Sequence, residues 1–257
     1  MSKAENGSSR SPRRINFEHA ALAAQNISTD KPAEDSISWK LWLACQDIAQ
    51  EALASDYIQG IKNGTLDPNK YGQYTVQDAA YCYNAAADYQ TIEERAKNEG
   101  HPELSAFAQA RLESYQKYNE SFLEEWHIAS GNAVVPSPAV KTYIDFEHGV
   151  AHQLPPIYGV IAMIPCDELW PWLATQLKDD AGPNNLYSFW ITENNDWHGS
   201  YRLDNFIDNW FTAHPDIYDW DTALWVMRSC MTGETNFFRS ACGQDLLPMP
   251  EKPASVS

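Results

Sequence analysis

Apolar residues recur at intervals of three and four along most of the chain. Ile37, Leu41, Ala44, Ile48 and Leu53 keep this spacing behind Ser36, a residue suited to capping a helix N-terminus. The run stops at NGTLDP, a turn signal. Helical periodicity resumes from about 69 to 98 and closes at Gly100 and Pro102. A second long amphipathic stretch, ELSAFAQARLESYQKYNESFLEEWHIA, comes next. PSPAVKTYIDFEHGVAH, PPIYGVIAMIPCDELWPWLATQL, NLYSFWITENN, SYRLDNFIDNWFTAH and DWDTALWVMRSCMTGETNFFRSAC complete the body. Alternating runs joined by hairpin signals are missing. The pattern predicts one all-α domain, a helical bundle of about eight helices, spanning residues 36–245.

The ends break the pattern. Residues 1–35 are polar and open with a small basic cluster, without the apolar core of a secretory signal. Arg and Ser there fit a transit peptide, but Glu5 and Glu18 count against it, so the stretch reads as a flexible or loosely docked tail. Residues 246–257 read as a C-terminal tail.

Composition narrows the class. A 257-residue chain that is 44% apolar, with ten Trp and thirteen Tyr, can bury a sizeable core. Its net charge of −17 opposes binding to nucleic acid or to an anionic membrane surface. No apolar run reaches the roughly 20 residues that span a bilayer. Five cysteines, an odd number without paired spacing, predict reduced thiols and a cytoplasmic protein.

Candidate chemistry lies on shared helix faces. Asp78 and Tyr81, with Tyr74 a turn earlier, make one pair. Cys166 and Trp170, Trp190 and Asn194, and Glu234 and Phe238 make three more. Each sets a polar group beside an aromatic ring. Converging, they would form a cavity for a flat heteroaromatic ligand. Spacing alone leaves each residue an ordinary role as well: a surface carboxylate, a local hydrogen bond, a small buried thiol. Pro165 obstructs the carbonyl of Ile161 and predicts a kink or helix restart beside Cys166. His148 and His152 stand one turn apart within DFEHGVAH, as a metal pair would. The Glu-x-x-His motifs of a di-iron bundle are missing, and no metal is expected.

The stretch DYIQGIKNGTLDPNKYGQYTVQDAAYCY resembles the N-terminal signature of the TenA family, also called thiaminase II. PSPAVKTY, MIPCDELW, NLYSFWI and TGETNFF resemble its later blocks in the same order. The match starts at Phe17 or Ser38 and ends at Ala241. The resemblance implies a haem-oxygenase-like all-helical fold and a homo-oligomer, a tetramer or dimer. It further implies hydrolysis of a thiamin-related aminopyrimidine to hydroxymethylpyrimidine, without a cofactor. On it, Cys166 is the nucleophile, Asp78 binds the aminopyrimidine, and Glu234 exchanges a proton with the ring nitrogen. Tyr81 and Tyr143 line the pocket. Trp170 stands where the family usually has Tyr or Phe, and Asn194 where a Tyr is usual. Two other functions stay open on the same scaffold: a non-hydrolytic protein binding another heteroaromatic, and a metal-dependent oxygenase using His148 and His152.

Overall fold

A computed structural model describes residues 25–127 and 129–254. Eleven α-helices, and no strand, are found among these residues. They are α1 (Ile37–Leu43), α2 (Gln46–Leu53), α3 (Asp56–Lys62), α4 (Pro68–Asn98), α5 (Pro102–Trp126), α6 (Pro138–Gln153), α7 (Pro156–Ala162), α8 (Ile164–Leu177), α9 (Ser188–Glu193), α10 (His198–Ala213) and α11 (Trp220–Ala241).

Local signals set the long helices. Ser36 Oγ accepts from Trp39 N at 3.2 Å and starts α1. Asp67 caps α4 through Asn69 N at 2.9 Å, with Pro68 at the first helical position, where its missing N–H costs nothing. Gly100, at φ +82°, turns the chain between α4 and α5 in a conformation that glycine adopts without strain.

The predicted helix over 36–53 is two helices. It breaks at Ala44–Cys45, where Arg228 from α11 donates to Ala44 O at 2.6 Å and satisfies the freed carbonyl. The predicted restart near Pro165 is present: α7 ends at Ala162 and Pro165 lies in the first turn of α8. Pro171 falls inside α8 and cannot donate to the carbonyl of Asp167. Ser200 Oγ from α10 donates to that oxygen instead, at 2.6 Å.

Helix α4, about 46 Å long at 1.5 Å per residue, organises the bundle. It runs antiparallel to α5, with Asn119 Nδ2 on Cys82 O and Ser105 Oγ on Glu93 Oε1. It runs parallel to α6: Tyr81, Asp88 and Arg95, at two-turn steps, meet Tyr143, His148 and the Ala151 carbonyl in order.

Residues 1–24, most of the predicted N-terminal tail, and residues 255–257 lie outside the described residues. Residues 25–35 follow the body: Gln25 donates to Ala106 O at 2.9 Å and Asn205 to Asp30 O at 2.8 Å. Asn236 holds both backbone groups of Leu247, at 2.7 and 2.9 Å.

Candidate functional site

Helices α3, α4, α5, α8 and α9 border a narrow cavity of about 20 Å³, with room for one or two water molecules. Asp78 supplies its carboxylate and is only 4% exposed. Tyr74, Trp170 and Trp190 form its aromatic walls, and Glu193 and Asn194 its outer polar edge. The rings brace one another. Tyr74 stacks on Phe237 at 4.1 Å, and Trp170 lies 5.2 Å from Trp190 and 5.7 Å from Phe238. Asn194 ends α9 and ties its amide nitrogen to Trp190 O at 2.7 Å.

Trp170 connects this cavity to α11. Its indole N–H donates to Glu234 Oε1 at 2.7 Å, and Glu234 is fully buried. Cys166, one turn earlier on α8, is 3% exposed and faces α5, with Sγ 3.7 Å from the Tyr115 hydroxyl. Next to it, Asp167 forms a buried ion pair with Arg111, whose Nε also reaches the Tyr89 hydroxyl at 3.3 Å. Burial, the largest single effect, opposes the Arg111 charge, and the Asp167 carboxylate together with Tyr89 and Tyr115 raises the guanidinium above its usual value all the same.

Behind the cavity, Tyr81 and Tyr143 stack at 4.9 Å with their hydroxyls 3.3 Å apart. Tyr81 also donates to Glu147 Oε1 at 3.0 Å. Gly233 permits this arrangement, because a Cβ there would come 2.5 Å from the Tyr143 ring. Burial, followed by the Cys166 sulfur, pushes the Tyr81 and Tyr115 phenols upward. Burial and then Glu147 do the same to Tyr143. All three phenols therefore stay protonated at neutral pH and act as donors.

The seven residues named from sequence fall into two groups. Asp78, Trp170 and Asn194 line the cavity. Cys166, Tyr81, Tyr143 and Glu234 are buried and do not line it; of these, Glu234 is joined to it through the Trp170 indole. Periodicity did not single out Tyr115, Arg111 or Asp167. An arginine embedded among apolar positions on α5, one turn before a tyrosine, was the available signal. Nor did it single out Glu168 and Asp204, fully buried carboxyls on α8 and α10. Burial raises both; the Asp204 charge adds to the rise of Glu168, whereas interaction with Glu168 opposes the rise of Asp204, so the two titrate as a pair.

His148 and His152 do pair, with rings 4.2 Å apart, but Asp88 takes His148 Nδ1 at 2.8 Å. Among the described residues, no three His, Cys, Asp or Glu side chains gather as metal ligands would. No helix among them is long and apolar enough to cross a membrane.

Eleven helices around an aromatic-walled cavity with buried carboxylates define an all-α protein among the described residues. The chain belongs to the TENA/THI-4/PQQC family, whose model matches residues 42–242. It is similar in fold to a TenA homologue from P. horikoshii, with a TM-score of 0.66 at 21% identity, covering 80% of this chain and 98% of that one. A TenA homologue from Pyrococcus furiosus aligns with a TM-score of 0.65 at 15% identity, covering 80% of this chain and 99% of the other. A TenA family transcription regulator from Silicibacter sp. TM1040 aligns with a TM-score of 0.62 at 15% identity, covering 79% and 95%. Among curated proteins, the chain is 26% identical over 152 residues to the thiamine biosynthesis multifunctional protein ThiED of Corynebacterium efficiens. That match spans 59% of this chain and 20% of the relative. The ThiED protein of Corynebacterium glutamicum is 25% identical over 151 residues, 59% of this chain and 19% of its own length. The chain thus spans about a fifth of the curated relatives it matches.

Proposed function

We propose that this protein hydrolyses a thiamin-related aminopyrimidine at its exocyclic methylene carbon, releasing hydroxymethylpyrimidine and an amine. The observation that carries the proposal is the Asp78 carboxylate set among aromatic walls, in a chain of this family. A carboxylate recognises the amidine-like edge of an aminopyrimidine, and flat rings stack on its faces. The thiamine biosynthesis role of the ThiED relatives points to the same substrate class.

In this reading the Cys166 sulfur adds to the pyrimidine ring and interrupts its aromaticity. The C–N bond at the methylene carbon breaks, and its electrons leave with the amine, which takes up the proton that the thiol gave up. Water adds to that carbon, the C–S bond breaks, and the thiol is recovered. Glu234 gives a proton to the ring nitrogen and takes it back. Tyr81 and Tyr143 orient the buried side of the site, while Trp170 and Asn194 shape which ring enters. The reaction uses no cofactor and no metal. With it belong a folded body over 36–245, a homo-oligomer (tetramer or dimer) and a cytoplasmic location.

The test is hydrolysis of 4-amino-5-aminomethyl-2-methylpyrimidine by the wild type and by Cys166→Ala. Turnover by the wild type alone, with both proteins folded, is expected. Undiminished turnover by Cys166→Ala would remove the thiol from the mechanism.

One observation favours a second reading, a non-hydrolytic protein that binds another heteroaromatic. The Trp170 indole already occupies a Glu234 oxygen, and Cys166 lies outside the narrow cavity. Heat of binding without product, across a panel of aminopyrimidines, would select it.

A further inference from the structure

Around the Cys166 sulfur lies a buried cluster that the mechanism above leaves unused. Tyr115 of α5 is fully buried, and its hydroxyl lies 3.7 Å from Cys166 Sγ, its one hydrogen-bond partner among the described residues. Arg111, one turn earlier on α5, faces the Tyr115 ring at 5.6 Å and the Tyr89 ring at 5.5 Å. Its Nε donates to the Tyr89 hydroxyl at 3.3 Å, and its guanidinium pairs with Asp167, the residue after Cys166. Ser200 of α10 donates to the Asp167 carbonyl at 2.6 Å. One cation thus ties the tyrosine to the first turn of the helix that carries the thiol.

We propose that Tyr115 is a further catalytic residue, donating its hydroxyl hydrogen to the Cys166 sulfur as the thiolate forms, with Arg111 the positioning residue that holds it in place. A thiol sulfur is a weak acceptor, whereas a thiolate carries full charge and accepts strongly. The contact therefore gains strength as the sulfur loses its proton, and it favours the form that attacks. A buried hydroxyl kept for stability alone would gain more from a carbonyl or a carboxylate than from a thiol. The nearby Asp167 carboxylate pairs with Arg111 instead, which leaves the hydroxyl on the sulfur. Burial first, and then the Cys166 sulfur, raises the Tyr115 phenol, so it keeps its hydrogen while the thiol titrates.

Other titratable or charged groups surround the sulfur: Tyr81 and Tyr89 on α4, Arg111 on α5, Tyr143 on α6 and Asp167 on α8. On α11, Glu234 is held by Trp170, one turn further along α8. Burial, ahead of every other effect, raises the Tyr81, Tyr89 and Tyr143 phenols, so none carries charge near neutrality. Arg111 and Asp167 are opposite charges in contact, so the pair sets position more than it sets field. The catalytic assignment rests on the hydrolase reading, in which this sulfur attacks the ring; the hydrogen bond to the thiolate needs no substrate. Tyr115 keeps its hydrogen throughout and adds no proton transfer to that reaction.

The decisive experiment follows the thiol alone. Methylthiolation of Cys166 by methyl methanethiosulfonate is timed by mass spectrometry across pH in the wild type and in Tyr115→Phe. Ultraviolet thiolate absorbance, with the Cys166→Ser spectrum subtracted, gives the same midpoint independently of reagent access. Tyr115→Phe should raise the midpoint by about one pH unit and cut the thiolate fraction below it about tenfold. A more basic thiolate is also the better nucleophile, with a Brønsted slope of about 0.4–0.5. The rate should therefore fall about threefold below the midpoint and rise about threefold above it. Crossing curves mark a lost hydrogen bond, whereas a loosened core would speed the reaction at every pH. Coincident midpoints would overturn the proposal, whatever the rates. Arg111→Lys keeps a cation beside Asp167 but loses the planar face against Tyr115, so it should raise the midpoint by a smaller amount. No shift in that variant would remove Arg111 as the positioning residue. In hydrolysis of 4-amino-5-aminomethyl-2-methylpyrimidine, Tyr115→Phe should lower kcat about three- to tenfold with KM unchanged. A wild type that does not turn this substrate over sinks the hydrolase reading, and the midpoints still decide the Tyr115–Cys166 bond.

Discussion

Replacing Trp170 by Phe separates two roles that its indole combines. The ring walls the cavity, and the N–H donates to Glu234 at 2.7 Å within a fully buried environment. Losing one buried hydrogen bond to a carboxyl costs about 1–3 kcal/mol. The smaller ring leaves a gap against Trp190 and Phe238 worth about 1 kcal/mol more. The sum, about 2–4 kcal/mol, lowers Tm by about 5–15 °C for a domain of this size. A double-mutant cycle with Glu234→Leu isolates the bond, and chemical denaturation of the four proteins should return a coupling of about 1–3 kcal/mol. Effects that add to within about 0.5 kcal/mol would refute the claim that this contact has energetic weight. Calorimetry with hydroxymethylpyrimidine tests the other role. Because the cavity holds only about 20 Å³ and the indole separates it from Glu234, Trp170→Phe should bind the pyrimidine more tightly. Weaker binding would mean that the indole is a stacking wall and not a barrier.

Gly233→Ala should destabilise the fold by about 1–3 kcal/mol, because its Cβ would meet the Tyr143 ring at 2.5 Å and part it from Tyr81. A denaturation midpoint equal to the wild type's would show that the ring yields freely. Arg111→Met should cost about 3–5 kcal/mol by leaving Asp167 buried without its cation, and Arg111→Met with Asp167→Asn should recover most of it; a double variant as unstable as the single one contradicts this account. Glu168 and Asp204 are raised in the folded state, so their contribution is full below the ordinary carboxylate range and is lost as pH rises through the folded values. Stability should therefore decline from mildly acidic to alkaline pH, and Glu168→Gln should flatten that slope; an unchanged slope removes the pair as its source. Asp47 and Asp219, both lowered chiefly by side-chain hydrogen bonds, act in the opposite sense: their contribution holds above the ordinary carboxylate range and fades on acidification, and Asp219→Ala should weaken the acid-side loss.

What was legible in the sequence follows from the range of each interaction. Ser36, the Asp67–Pro68 pair and Gly100 act within a few residues, so caps and turns stand where the pattern puts them. The break at Ala44 depends on an arginine 184 positions away, and the uninterrupted course of α8 through Pro171 depends on Ser200; local periodicity registers neither. The site divides in the same way. Family blocks mark Asp78, Cys166 and Glu234, and helical spacing assigns Asp78 and Tyr81 to one face. Three residues fall about 60° short of a full helical turn. That offset is enough to send Asp78 into the cavity and Tyr81 toward Glu147, because α6 occupies the side of α4 to which Tyr81 turns. A sequence encodes a face, but the helix packed against that face decides what each residue on it meets. Cys166 and Trp170 obey the same logic on α8. One turn apart, they meet Tyr115 of α5 and Glu234 of α11, and the indole between cavity and carboxylate follows from that division.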